Sequence, residues 1–382
     1  MKTYILTVGL LVMFLLPSTR TLAVLFVAGK VKTVKTPPGL PDSTGIVRLV
    51  ATISQDSIRY FHRQICGVRN RSQKGMRHLG TVRSLLIQHF TRNGLESSFQ
   101  DTILTRQEVS LLKGGAAPVT PDTTTSFHIR NVLALKKSRH ANAGTIVFCA
   151  HYDSISDSPG ADDNASGIAA LMEMARILSA IQTEKNILFA AFDLEEEGLL
   201  GSQLFVFGKG KQYPEKIDGV VNFDMIGYSS EEPKSQQVPE IYQQLFPQQY
   251  KLLSEDQFRG NFVLIAANEK SVPLSDVYTR AARAFVPELK VMSLSLPGDG
   301  LQAGSLADSD HAAFWFAGIP AIFIGDGAGS RNRHYHSSAD KQETVNYGFM
   351  TRVIKAAVAG ALAVSGSEWP ADAAVVLPAT GH

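Results

Sequence analysis

The chain has 382 residues, 44% of them hydrophobic, which suffices for a large buried core in one big α/β domain or two smaller ones. It carries 37 basic and 35 acidic residues; removing residues 1–23 takes Lys2 and Arg20 and no acid, leaving 35 of each (37 − 2) and no electrostatic footing for a nucleic-acid partner. The two cysteines, Cys66 and Cys149, do not make a disulfide framework, even in an exported protein.

Residues 1–23 have the layout of a secretory signal peptide: Lys2, an apolar run over 4–16, then Pro17 and Ala23, a small residue suited to cleavage. They predict a secreted or periplasmic protein with no stable membrane association after cleavage. An uncleaved anchor is the rival reading, because residues 24–28 are apolar again. Arg20 counts against a span of about 20 residues. Residues 24–44, rich in Lys, Thr and Pro, read as an extended lead-in. A helical pattern runs over 45–93, with Ile46, Leu49, Val50 and Ile53 and later Val82, Leu85, Leu86 and Phe90 at helix spacing before Gly94. The basic run between them, 69–77, is expected to be a solvated loop rather than a binding patch.

Strands are expected over 99–109 and 127–136, then a fully apolar one over 145–150 that runs into HYDSISDSPGADDNASG, residues 151–167. A helix follows over 168–181. A second apolar strand, 186–192, leads into DLEEEGLLGS, and a third, 219–224, into NFDMIGY. Residues 229–257 hold Pro233, Pro239 and Pro247 and show no clean periodicity; they read as a surface excursion near the site. Strand 261–267, helix 274–285 and strand 290–296 come next. SDHAAFWFAGIPAIFIGD gives a short helix, a turn and a buried strand; RNRHYHSSAD is a loop, and a helix over 344–364 closes the fold. Alternating strands and helices predict an α/β sandwich with a mixed, largely parallel central sheet. The organisation expected is a single domain over 45–365 and a loose tail over 366–382. The LPATG in that tail is similar to a sortase signal but is read as a chance match.

Five groups fall at strand ends or in the adjoining loops: His151, Asp163, the run Glu195-Glu196-Glu197, Asp224, and His334 or His336. Carboxylates and imidazoles without thiolates are a ligand set for hydrolytic zinc, and two ions about 3.5–4 Å apart can clamp a water. A pair of ions with one His and one terminal acid each and one shared carboxylate needs two His and three acids. The chain offers these and a spare Glu. For 151–167 alone, the plain alternative is an acidic surface loop.

HYDS, PGADDNASG, DLEEEGLLGS, NFDMIG, SDHAAF with GIPA, and HYHSSAD, in this order, resemble the M28 family of zinc peptidases, from about residue 131 to the last helix and more loosely from residue 45. The resemblance implies two Zn2+ per chain. His151 and Asp224 match the ligands of one ion, Glu196 and His336 those of the other, and Asp163 the bridge. Glu195 matches the general base that activates a metal-bridged water, Asp153 the acid that orients the first His, and Tyr335 the group that steadies the tetrahedral intermediate. Asp310 and His311 read as outer or structural residues, Glu197 as a bystander, and His334 as a competing ligand. A cis Asp163–Asn164 bond is also implied. Ser337-Ser338 departs from the Thr-Pro often found there. The expected function is a secreted di-zinc exopeptidase acting on peptides, an aminopeptidase above all. The alternatives are a carboxypeptidase using Arg331 or Arg333, a glutaminyl cyclase that would lack the equivalents of His151 and Asp224, and a non-catalytic ectodomain.

Overall fold

The computed structural model of the chain describes residues 43–112, 126–208 and 216–368. The expected signal peptide, the lead-in as far as residue 42, and the tail from residue 369 lie outside them. Three helices open the described chain: α1 (Ser43–Ala51), α2 (Gln55–Ile65) and α3 (Gln73–Arg92). Next come β1 (Glu96–Thr105), α4 (Arg106–Leu112), β2 (Ser126–Lys136), β3 (Thr145–His151), α5 (Ala165–Leu178), β4 (Gln182–Thr183) and β5 (Asn186–Phe192). They are followed by α6 (Leu200–Phe207), β6 (Ile217–Phe223), α7 (Tyr242–Leu245), α8 (Pro247–Glu255), β7 (Phe262–Asn268) and α9 (Val272–Phe285). The remainder is β8 (Lys290–Leu296), α10 (His311–Phe316), β9 (Ala321–Gly325), α11 (Tyr347–Ser365) and β10 (Ser367–Glu368).

Eight strands form one sheet in the order β1-β2-β5-β3-β6-β9-β7-β8. The β5–β3–β6–β9 block and the β7–β8 pair are parallel, whereas β1, β2 and the β7–β9 seam run antiparallel. The period of two decides which side chains meet which layer. Ile146, Phe148 and Ala150 of β3 join Ile187, Phe189 and Ala191 of β5 in the core under α2, α3, α5 and α11. Val147, Cys149, Leu188, Ala190 and Phe192 face the opposite layer, with α6 and α10. Cys149 and Cys66 therefore pack against different layers, and both are free thiols. From β3 the chain passes through α5 to β5 on one side, then returns through α6 to β6 on the other. The winding reverses about β3, and the carboxyl ends of β3, β5 and β6 open the crevice where such sheets hold ligands.

Helix α11 is long and apolar enough to cross a membrane, yet most of it is buried, packed on α9 and α5 as a core helix. A Cβ on its Gly360 would lie 2.4 Å from the Tyr278 ring, so only glycine lets α9 and α11 approach this closely.

Three expectations need correction. The strand placed at 99–109 runs from Glu96 to Thr105, and a helix takes the rest. Thr105 and Glu108 form a capping box: the Thr105 amide donates to the Glu108 carboxylate at 2.7 Å, and the Glu108 amide to the Thr105 hydroxyl at 3.3 Å. The tail expected from residue 366 begins with β10, which pairs with β4. The run 69–77 is not uniformly solvated, because Arg69 is fully buried among backbone carbonyls that satisfy its guanidinium.

Candidate metal centre

His151 is the last residue of β3 and is buried. Its Nδ1 lies 3.2 Å from Asp153 Oδ1. The same Asp153 carboxylate accepts the amides of Glu195 at 3.1 Å and Glu196 at 3.2 Å, so one side chain fixes both the β3 imidazole and the turn after β5. Asp163 and Asn164 precede α5 and are joined by a cis peptide bond. The Asn164 side chain caps the helix at Gly167 and also donates to Phe223 O at 2.8 Å, tying this loop to the end of β6. Asp224 follows β6, and Ser309 Oγ donates to its Oδ2 at 2.6 Å. Leu194, Met225 and His336, beside or within these loops, hold positive φ angles of 53°, 55° and 55°. Non-glycine residues enter that region rarely, and often at functional sites.

These loops bring six side chains together in two groups: His151, Glu195 and Asp224, and Asp163, Glu196 and His336. Asp163 joins them. Its Oδ1 lies 3.3 Å from His151 Nε2 and its Oδ2 3.3 Å from His336 Nε2. Asp224 Oδ1 is 3.4 Å from His151 Nε2, and Glu196 Oε2 is 3.3 Å from His336 Nε2. These separations are long for charge-assisted hydrogen bonds, which run to about 2.7–2.9 Å. They equal the edge of a tetrahedron whose bonds to a central ion are about 2.0–2.1 Å, roughly 3.3–3.4 Å. Asp163 Oδ2 and Glu196 Oε1 are buried without a hydrogen-bond partner, as oxygens reserved for an ion would be. The donor set thus fits a pair of divalent cations.

The electrostatics agree. Burial, with Asp224, Asp310 and Glu196 nearby, pushes Glu195 well above the carboxylate range against the pull of His151. Burial and the Asp163 charge push Glu196 up to about 7. Burial disfavours a charged His336, but Asp163 and Glu196 outweigh it and raise the ring to about 10. Two glutamates that hold protons, and two imidazoles whose charge is held by neighbours such as Asp163, mark a site crowded with negative charge in little water, which bound cations would relieve.

The remaining expected residues fall as follows. Tyr335 stacks on His336 with centroids 3.7 Å apart and lines the cleft. Asp310 is fully buried, with neither carboxylate oxygen hydrogen-bonded. His311 gives its Nε2 to Leu306 O at 2.9 Å and stands edge-on to Trp315. His334 is half-buried against Tyr228 and belongs to neither group. Glu197 points away toward Arg71, 3.9 Å off. Arg331 is buried: its Nε donates to Gln236 and a terminal nitrogen to Phe262 O. Sequence reasoning missed Asp340, whose two oxygens accept the amides of Asp162 and Asp163 at 2.9 and 3.0 Å, and Ser309; both stand inside quoted motifs. Asp162, the neighbour of Asp163, is buried, and its carboxylate accepts from the Gly227 amide and the Asn332 side chain.

A cleft of about 530 Å3 opens from Asp163, Glu195, Glu196, Asp224 and His336. Its far wall is the excursion, with Tyr242, Phe246, Tyr250 and Leu253 facing Leu264, Met292, Leu294 and Phe323 of the sheet. The segment without periodicity therefore builds α7 and α8 against this cleft.

The chain is 31% identical over 225 residues to the uncharacterized protein YfbL of Escherichia coli K12, covering 56% of this chain and 65% of that one. It is 41% identical over 103 residues to the aminopeptidase YwaD of Bacillus subtilis, covering 27% of this chain and 23% of the relative. It thus spans two-thirds or less of the length of these curated relatives. Among solved structures, the Legionella pneumophila LapA aminopeptidase shares the fold with a TM-score of 0.60 at 21% identity, over 87% of this chain and 77% of that one. The family model described as Peptidase family M28 matches residues 131–361. That stretch is more than half of the chain and holds every residue of both ligand groups, so the chain belongs to peptidase family M28.

Proposed function

We propose that this chain is an exported di-zinc aminopeptidase. The observation that carries the reading is the pair of ligand groups joined by Asp163 at the head of an apolar cleft. His151, Asp224 and Asp163 would hold one zinc, and Glu196, His336 and Asp163 the other. Bound zinc supplies Lewis acidity, which polarises a scissile carbonyl and lowers the pKa of water toward neutrality. Glu195 accepts the proton of the attacking water and delivers it to the leaving amine. Its backbone is held by Asp153, and its Oε2 lies 3.9 Å from His151 Nε2, so it faces the reacting centre from a fixed turn. The Tyr335 hydroxyl donates to the oxyanion as it forms. The apolar walls take a bulky side chain of the N-terminal residue and keep water away from it.

The choice of peptide end rests on charge. Among the described residues lining the cleft there is no Lys or Arg, whereas Asp163, Glu195, Glu196, Asp224 and Asp308 all line it. A free amine beside two dications needs such carboxylates, and a substrate carboxylate needs a cation. Neither candidate for that cation lines the cleft: Arg331 is buried, with its Nε and one terminal nitrogen bonded to Gln236 and Phe262 O, and Arg333 is exposed. A cyclase is disfavoured by His151 and Asp224, which stand together with Asp163. The proposal of export rests on residues 1–23 alone. A matched peptide pair is the test: N-terminal acetylation should abolish cleavage and C-terminal amidation should leave it intact. The reverse pattern makes the protein a carboxypeptidase.

A further inference from the structure

We infer that two arginines of the N-terminal segment, Arg69 in the loop between α2 and α3 and Arg83 on α3, are positioning residues for the candidate metal centre, so that the segment before the family match is part of the site's construction. The inference rests on the metal reading above. Both residues precede residue 131, where the family match begins.

Arg69 has no exposed surface, and its partners are backbone carbonyls rather than carboxylates. Nε donates to Tyr152 O at 2.8 Å; one terminal nitrogen donates to Ile65 O, Gly67 O and Pro159 O at 3.0, 2.8 and 2.8 Å. The other reaches Gly160 O at 3.0 Å and Asp153 O at 3.5 Å. The main chain adds Ser154 N to Arg69 O at 2.7 Å and Arg69 N to Ser154 Oγ at 2.9 Å. A single guanidinium therefore gathers both ends of the loop that carries Asp153 and leads to Asp163. Gly160 lies so close that a Cβ there would sit 2.6 Å from the guanidinium and 2.3 Å from Asp163 O. Arg83 acts one strand over. Its Nε donates to the Tyr152 hydroxyl at 2.9 Å and a terminal nitrogen to Asp193 Oδ2 at 3.0 Å, two residues before Glu195.

The consequence follows from Asp153. Its carboxylate orients His151 and accepts the amides of Glu195 and Glu196, so a shift in residues 152–153 moves both ligand groups at once. Burying a cation among carbonyls alone is costly unless its whole fork of donors is used. Lysine, with three donors on a point charge, cannot reproduce that fork.

The test is zinc affinity of the purified full chain, by competition with a chromogenic chelator, for wild type, Arg69→Lys, Arg83→Met and Val82→Ala. All are measured at a temperature where the metal-free protein is folded by circular dichroism. Val82 is fully buried beside Arg83 on α3 and touches neither loop through a polar group, so it reports destabilisation of the helical layer alone. We expect a loss of about 10-fold or more in zinc affinity for Arg69→Lys and Arg83→Met, the scale of other outer-shell changes, and none for Val82→Ala. If Arg69→Lys does not fold, Arg83→Met decides. Wild-type affinity in the arginine variants, or an equal loss in Val82→Ala, overturns the inference. A wild-type protein that binds no zinc overturns the metal reading and this inference with it.

Discussion

Replacing Glu195 with Gln should lower kcat by about 10²–10⁴-fold, the range spanned by a lost general acid–base group, while the zinc content stays that of the wild type. The substitution keeps the side chain's size and removes its proton acceptor. The turn that presents it stays in place, because that turn is held through the Glu195 and Glu196 amides by Asp153. Glu196→Gln should behave differently, weakening the His336 zinc site first, because its Oε2 is the oxygen placed 3.3 Å from His336 Nε2. Metal analysis beside steady-state kinetics separates the two. Since Glu195 also lies within the His151 and Asp224 group, swapped phenotypes would mean that the two glutamates exchange roles.

Asp163→Asn is expected to be as damaging for another reason. The carboxylate gives one oxygen to each imidazole neighbourhood. An amide has a single oxygen and no charge, so it could not serve both of the proposed ions. We expect loss of one zinc equivalent and a fall in kcat/KM of roughly 10²–10³-fold, about 3–4 kcal/mol of transition-state stabilisation. Retention of both ions with near-normal kcat/KM would remove Asp163 from the bridging position.

Much of this geometry was legible because the sheet's period and the loops' composition are local properties. The seven-residue β3 is buried throughout, as its unbroken apolar run requires of a central strand, and His151 and Asp224 stand where β3 and β6 stop. Boundaries were less legible: β1 ends at Thr105 because of a capping box that Thr-x-x-Glu does announce. Choosing His336 over His334 was beyond periodicity, since both lie in one irregular loop and only the backbone, with φ of 55° at His336, turns that ring inward. Arg69 was misread for a related reason. Its sequence neighbours are polar, but its partners include carbonyls about 90 positions away. Nothing local to residues 69–77 reports them. Likewise Asp162 and Asp163 are adjacent acids, and only the fold sends one to Asn332 and the other to the imidazoles.

We propose two zinc ions per chain, with the Asp163 carboxylate within reach of both ligand groups. Metal analysis of the full chain under zinc-replete conditions addresses this most directly, with chelation followed by melting, since an ion bound to the folded state stabilises it. Two zinc equivalents per chain and a lower melting temperature after chelation are expected. A single tight equivalent, or a melting temperature indifferent to chelation, would contradict the two-zinc proposal.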